Sequence, residues 1–448
     1  MTMKGYYKIT ILIGLGFFTM GLMDPLYDAY VPAFLDDYLD SKFLIGLIMT
    51  LDNVFALFLI PLVASLSDRT NTPIGRRMPY ILVTVPLSGI FFSLLPYGAT
   101  PYGTITVLIL IIFLLNLAKQ AARGPVVALM PDLVPANLRS EANGVINTMG
   151  GIAAIVGTVV LAPMMDISID LPLIGNTLRK LPFLISGVLV ILATILLFIF
   201  VKEKKHAQKN SSESPEEPVK TADSLRKVFG INGDPSAALI LLSLFFWFLA
   251  YQGILPFVTI YSKDILGVSE GLAGLSPGSV AIAYALFAIP SGILAHRIGR
   301  RRVITISLRG IIVVLGLVFI HDPLTSFFGL SSQVSWITFL VLFFCFGIFW
   351  GSIVTNSFPM LWQMASFTTM GIYTGLYYFF SQGAAILSPL LSGGLIDVST
   401  RVFGPEVGLR SIFLYGIICM AVAMLLMARV KAGEATDLPA EPQTPQAD

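Results

Sequence analysis

Asp24 and Asp28 stand four residues apart inside an apolar run over 9–33, so they share one face of the helix that this run predicts. A second run, 104–129, carries Asn116, Lys119, Gln120 and Arg123, a polar stripe at three- and four-residue spacing. Ionised groups at membrane depth cost several kcal/mol each unless they face a water-filled cavity or one another. The least costly arrangement puts both runs on one cavity with their opposite charges adjacent. Counted from the inner side, Asp24 is about 15 residues along its run and Lys119 about 10, a height difference of ~7 Å at ~1.5 Å per residue, within side-chain reach. Arg123 lies lower, which argues against a pair with Asp28. A carboxylate beside a buried cation is a natural proton carrier, because one proton changes the local balance. Asp24 is expected to carry it, since Pro25 removes a backbone donor and opens the helix beside the carboxylate. Asp28 is then expected to contact solute. A purely structural ion pair is the alternative.

Asp52, in the run 43–66, is a third candidate for the coupling ion, but it sits nearer the outer end, where a hydrated rim residue is equally expected. Other polar residues suit a solute. They are Asn143 and Asn147 in the run 142–163, Tyr251 and Gln252 in 237–260, Asn356 in 335–358, and Tyr378 and Gln382 in 370–393. Trp247 and Trp350 stand among them. Amides and tyrosines bond hydroxyl groups while aromatic faces cover the C–H faces of a sugar ring. Hydrogen bonding between membrane helices explains the same residue types.

The elements that position these residues follow from composition. The chain of 448 residues is 56% hydrophobic and 12% charged, with a mean hydropathy of +0.84. A soluble protein carries about a quarter charged residues. Besides the runs already named, others lie near 79–97, 181–201, 272–295, 303–320 and 411–429, twelve in all, each long enough to cross a ~30 Å hydrocarbon core. The first lacks a small-residue cleavage site and is read as a retained span. A net charge of +2 gives no reason to propose nucleic acid as a partner, and Cys345 and Cys419 both fall inside apolar runs, so no disulfide framework is implied.

Between the second and third runs lies a compact polar turn with Asp68 and Arg69, then five residues, then Gly75, Arg76 and Arg77. A relative follows between the eighth and ninth, with His296, Arg297, Gly299, Arg300 and Arg301. Gly75 and Gly299 are 224 residues apart, half of the chain. One loop repeated at half-length marks two similar halves, as in transporters built by duplication. The loop resembles the signature loop of the major facilitator superfamily, and its longer spacing is similar to the sucrose-transporter-like and glycoside-pentoside-hexuronide cation symporter branches. The resemblance covers about residues 10–430, with Ala64 where a Gly is expected and His296 in place of the second Asp. It implies an all-α membrane protein of twelve transmembrane helices in two pseudo-symmetric six-helix halves, working by rocking alternating access as a sugar or glycoside symporter. Melibiose-type symporters of that branch carry acids one and two turns after Asp52. Ala56 and Ile60 stand there, which favours a proton over sodium.

The halves are read as 1–201 and 237–430, with a cytoplasmic linker over 202–236 and a disordered tail over 431–448. Ser224 to Phe229 is expected to form a short interfacial helix. With both termini in the cytoplasm, inner segments carry 19 Lys and Arg and outer loops 6, in keeping with the positive-inside rule for a cell-membrane protein. The loops are expected to gate. Asp68 would hold the N-terminus of span 11, preceded by Thr368 and Thr369, and Arg69 or Arg76 would reach Asp132. A weaker latch would run from His296 to span 5 near Glu141. The expected partners are a small solute and the lipid bilayer, with the monomer as the working unit and no metal or other cofactor beyond the coupling ion. Export or exchange of an anionic solute, bound by Lys119 and Arg123, is the alternative. A membrane sensor or enzyme is a remote one, because no loop is large enough for a catalytic or receiver domain.

Overall fold

The computed structural model describes residues 6–99, 103–135, 138–172, 175–204, 235–365 and 370–433. Among them are twelve helices long and apolar enough to cross a membrane. In chain order these are α1 Tyr7–Asp36, α2 Lys42–Arg69, α3 Met78–Gly98, α4 Ile105–Leu133, α5 Arg139–Ile155 and α6 Leu181–Phe200. The second half has α7 Ser236–Asp264, α8 Leu275–Ile298, α9 Arg300–Phe327, α10 Ser332–Trp362, α11 Met370–Phe403 and α12 Pro405–Met427. Apolar side chains around most of each circumference leave the backbone no partner but itself in a bilayer, so each run closes its own hydrogen bonds as a helix. Several starts are fixed locally. Ser41, Thr104 and Ser331 accept the N–H of Leu44, Val107 and Val334. Every crossing reverses direction, so the described chain begins and ends on one side, called here the N-terminal face, opposite the far face.

Helices α1, α2 and α5 and their counterparts α7, α8 and α11 carry the contacts between halves, whereas α3, α4, α6, α9, α10 and α12 pack chiefly within their own half. The halves meet along α1 against α7, α2 against α11 and α5 against α8. The α2–α11 seam shows why backbones come so close. A Cβ on Gly46 would collide with the carbonyl of Pro389, and one on Gly393 with that of Lys42. Without a hydrophobic drive between helices in lipid, small residues at a crossing gain dispersion contacts that larger ones forbid.

Helix α5 continues as a π-helical stretch, Val156–Leu161, and a 3-10 turn, Ala162–Asp166. There the Tyr30 hydroxyl donates to the Ala162 carbonyl at 3.1 Å. The N-terminal half also extends past its predicted end. Glu203, assigned above to the linker, is 2% exposed and belongs to the folded half. The expected helix over 224–229 and the tail from 434 lie outside the described residues.

Replacing Gly393 by Leu should lower the melting temperature of the purified protein by the equivalent of about 1–3 kcal/mol, the cost of overpacking. Gly144, whose added Cβ meets nothing within 4 Å, is the control. Gly144→Ala should be neutral or slightly stabilising in differential scanning fluorimetry.

Candidate functional site

The charges predicted to meet do meet. Lys119, 4% exposed on α4, donates from Nζ to Asp24 Oδ1 of α1 at 3.0 Å. It also pairs with Asp52 Oδ1 of α2 at 3.1 Å, and its ammonium lies 4.6 Å from the ring centre of Tyr27. Gln120 donates to the same Asp52 carboxylate. Of the two readings open for Asp52, rim residue or member of the central cluster, its contacts agree with the second. Residue counts along α2 place it high, but the packing of α2 on α4 brings it onto the lysine.

In front of this cluster lies a cavity of about 550 Å³. Asp24, Asp28, Asp52, Asn53, Gln120 and Arg123 line one side, and Gln252, Tyr378 and Gln382 the other. Asp28 and Arg123 are half-buried, and among the described residues neither forms a hydrogen bond or ion pair. Their expected lack of mutual pairing thus agrees with the geometry. Ala56 and Ile60 also line the cavity, where the resemblance would place acids.

Other predicted solute contacts lie elsewhere. Asn116 is fully buried and donates to Tyr27 Oη at 2.8 Å, tying α4 to α1. Asn356, 2% exposed, turns back to the Ser352 carbonyl of its own helix at 2.8 Å. Asn147 likewise bonds the Asn143 carbonyl at 2.9 Å, both residues being exposed and outside this cavity lining. Tyr251 stacks on Trp350 with ring centres 4.3 Å apart, behind the lining rather than in it.

At the N-terminal face the signature loop is tied within its own half. Arg76 holds Asp132 Oδ1 at 2.5 Å, and Arg77 reaches Asp132 Oδ2 at 2.9 Å and also pairs with Asp68. The expected reach to Asp132 is made by Arg76, while Arg69 is exposed. Glu203 accepts the backbone N–H groups of Arg76, Arg77 and Met78 at 2.8–3.1 Å, closing the N-terminus of α3. Gly75, at φ +123°, allows this, since a Cβ there would meet the Glu203 carboxylate. Thr368 and Thr369, the expected partners of Asp68, lie outside the described residues. In the second loop His296 and Arg297 are exposed, and Gly299 breaks the chain between α8 and α9 at φ +95°. Arg300 and Arg301 bond the carbonyls of Pro359 and Ala428. The predicted latch onto α5 is not made. Glu141 instead accepts the Tyr7 hydroxyl at 2.7 Å.

The bonds that join the halves cluster at the far face. Asp397, near the far end of α11, accepts from Ser41 Oγ at 2.6 Å and from the N–H groups of Lys42 and Phe43 at 2.7 and 3.1 Å. A carboxylate on the N-terminus of α2 offsets its unpaired donors and its dipole together. Arg179 bridges Asp37 at 2.6 Å and Glu270 at 2.9 Å. Burial works against the Arg179 charge, yet Glu270 and Asp37 together raise its pKa. Asp166 accepts from Ser269 Oγ at 2.6 Å and Gly271 N–H at 3.1 Å. Sequence reasoning passed over all of these. Asp397 carried no signal beyond an acid at the end of an apolar run, because its partners are backbone groups.

The sequence matches the family described as Major Facilitator Superfamily over residues 13–320 and again over 240–447. No curated protein sequence matches significantly. Among solved structures, a point mutant of the nucleoside transporter NupG superposes with a TM-score of 0.67 at 16% identity, over 94% of this chain and 100% of that one. A bacterial homologue of the human lysosomal transporter Spinster, inward-facing and occupied, gives 0.67 at 14% identity, over 96% and 97%. A bacterial homologue of the iron transporter ferroportin gives 0.66 at 13% identity in its inward-facing state, over 94% and 98%. In its outward-facing state the score is 0.56 at 14% identity, over 94% and 99%.

Removing the carboxylate on α2 in Asp397→Ala should cost the far-face closure about 1 kcal/mol, roughly a fivefold shift toward opening. The measurement is labelling of Met49→Cys by an impermeant maleimide from the far side, in a Cys345→Ser, Cys419→Ser background. Unchanged labelling would leave closure to Arg179 and Asp166.

Proposed function

Because the chain belongs to the Major Facilitator Superfamily and is a secondary transporter of the membrane, we propose that it carries a sugar or glycoside together with a proton. The observation that carries this reading is the charge balance of the central cluster. Three carboxylates, Asp24, Asp28 and Asp52, face two cations, Lys119 and Arg123, so the fully ionised cluster holds one excess negative charge. In a bilayer an uncompensated charge seeks a counterion, and a proton is the one that needs no ligand cage. Asp24 is already held by Lys119, and protonating it would break that pair. Asp28, one turn along the same helix and without a partner among the described residues, gains most from the proton. The coupling role expected of Asp24 is therefore given to Asp28.

Across the cavity, Gln252, Gln382 and the Tyr378 hydroxyl supply neutral donors and acceptors, the lining that a hydroxyl-rich solute needs. The longer spacing of the signature loop supports the sugar-transporting branches over others of the superfamily. With the N-terminal face in the cytoplasm, as the distribution of Lys and Arg supports, closure at the far face makes this the inward-facing state. Rocking of the halves would then exchange the Asp397 and Arg179 contacts for contacts at the signature loops.

Arg123 favours a second reading. A guanidinium on the cavity that forms no ion pair or hydrogen bond among the described residues suits an anionic solute, taken up or exchanged.

Disaccharides and glycosides should raise the melting temperature of the purified protein, whereas organic anions should not. In proteoliposomes loaded with the solute found this way, Asp28→Asn should abolish accumulation driven by a pH gradient and spare counterflow. Accumulation that survives in Asp28→Asn removes the coupling assignment, and stabilisation by anions alone replaces the sugar reading with the second one.

A further inference from the structure

Two arginines of α9, Arg302 and Arg309, serve neither the cavity nor the contacts between halves. Ile306, Val313, Leu317, Ile320 and Leu324 recur at intervals of seven, four, three and four residues and are 45–61% exposed. In a membrane-crossing helix packed chiefly against its own half, such a stripe faces lipid. Arg302 and Arg309 stand on the same stripe at the same intervals, both exposed. Among the described residues neither forms an ion pair or hydrogen bond.

Depth makes this a demand for a partner. Helix α9 has 28 residues, about 42 Å at ~1.5 Å per residue, against a hydrocarbon core of ~30 Å. A centred core begins about four residues into the helix, which puts the backbone of Arg309 roughly 7 Å inside it. A guanidinium cannot rest among acyl chains, so its stem must run back toward the N-terminal face. On that side Arg301, Arg302, Thr305, Ile306 and Arg309 surround a hollow of about 340 Å³. Arg301 fixes one wall by its 2.7 Å bond to the Ala428 carbonyl beyond α12. The first turn of α9 adds the positive end of the helix dipole.

We propose that this hollow binds the phosphate of an anionic phospholipid in the leaflet at the N-terminal face, with Arg302 and Arg309 as its ligands. A soluble phosphate fits less well, because Arg309 is rooted below the headgroups and the exposed Ile306 offers a surface for an acyl chain. Two arginines around one phosphate favour a lipid of net negative charge over a zwitterionic one, whose ammonium they would repel. The site lies on the outer wall of the second half, apart from the cavity.

The test titrates the detergent-solubilised full chain with phosphatidylglycerol, phosphatidylcholine or inorganic phosphate, reading bound lipid by native mass spectrometry and stability by fluorimetry. Phosphatidylglycerol should bind roughly tenfold more tightly than phosphatidylcholine. The double variant Arg302→Gln, Arg309→Gln should lose that preference while keeping its lipid-free melting temperature. Arg309→Lys, which keeps the charge, should retain most of it, and Arg302→Gln alone should reduce it even if the double variant folds poorly. Equal binding of the two lipids, or a preference untouched in Arg302→Gln and in the double variant, overturns the proposal. Stabilisation by inorganic phosphate to the same extent as by lipid does so too.

Discussion

One ammonium group decides how the N-terminal half is assembled. Lys119 is buried between Asp24 and Asp52, and breaking such a pair by removing one partner leaves a charge in a medium that will not hold it. Helices α1, α2 and α4 are thereby fixed together at mid-membrane, at one depth and one rotation each. The cavity forms in front of this clamp because the remaining charges on the same faces, Asp28 and Arg123, have no protein partner among the described residues and need water or solute. Lys119 holds both acids at once, at 3.0 and 3.1 Å, so a movement of α1 or α2 away from α4 must leave one buried carboxylate without its partner.

Around this centre, helix ends set what is rigid and what moves. Glu203 and Asp397 do the same chemistry, a carboxylate on the unpaired N–H groups of a helix start, at α3 and α2 respectively. Their difference is where the chain runs. Glu203 and α3 lie in one half, so that bond travels with the half as a body. Asp397 and α2 lie in different halves, so that bond must break whenever they part at the far face. The same distinction separates the Arg76 and Arg77 ties to Asp132, within one half, from the Arg179 bridge between two.

Most of the fold was legible in the sequence, because twelve apolar runs and a loop repeated at half-length admit few arrangements. The pair of Asp24 and Lys119 was legible for a related reason, since charges in apolar runs must find one another. Asp52 stayed open between rim and cluster because height along a run says nothing of how far α2 leans on α4. Asn116 and Asn356 illustrate a different limit. An amide that ties helices together or bonds its own turn has the same sequence signature as one that lines a cavity. Glu203 and Asp397 were hidden because each bonds backbone groups, which every residue carries, and the eye is drawn to side-chain partners.

The clasp of Glu203 on α3 also has a history within each molecule's synthesis. Its carboxylate follows Met78 by 125 residues. At elongation rates of about 5–20 residues per second the wait is roughly 6–25 s. Throughout that interval the open N–H groups at the start of α3 lack their carboxylate, and the loop between α2 and α3 has only its side-chain ties to Asp68 and, once α4 is made, to Asp132. A ribosome that pauses between α4 and α6 prolongs the time during which the ties of Arg76 and Arg77 to Asp68 and Asp132 hold the signature loop without the Glu203 clasp.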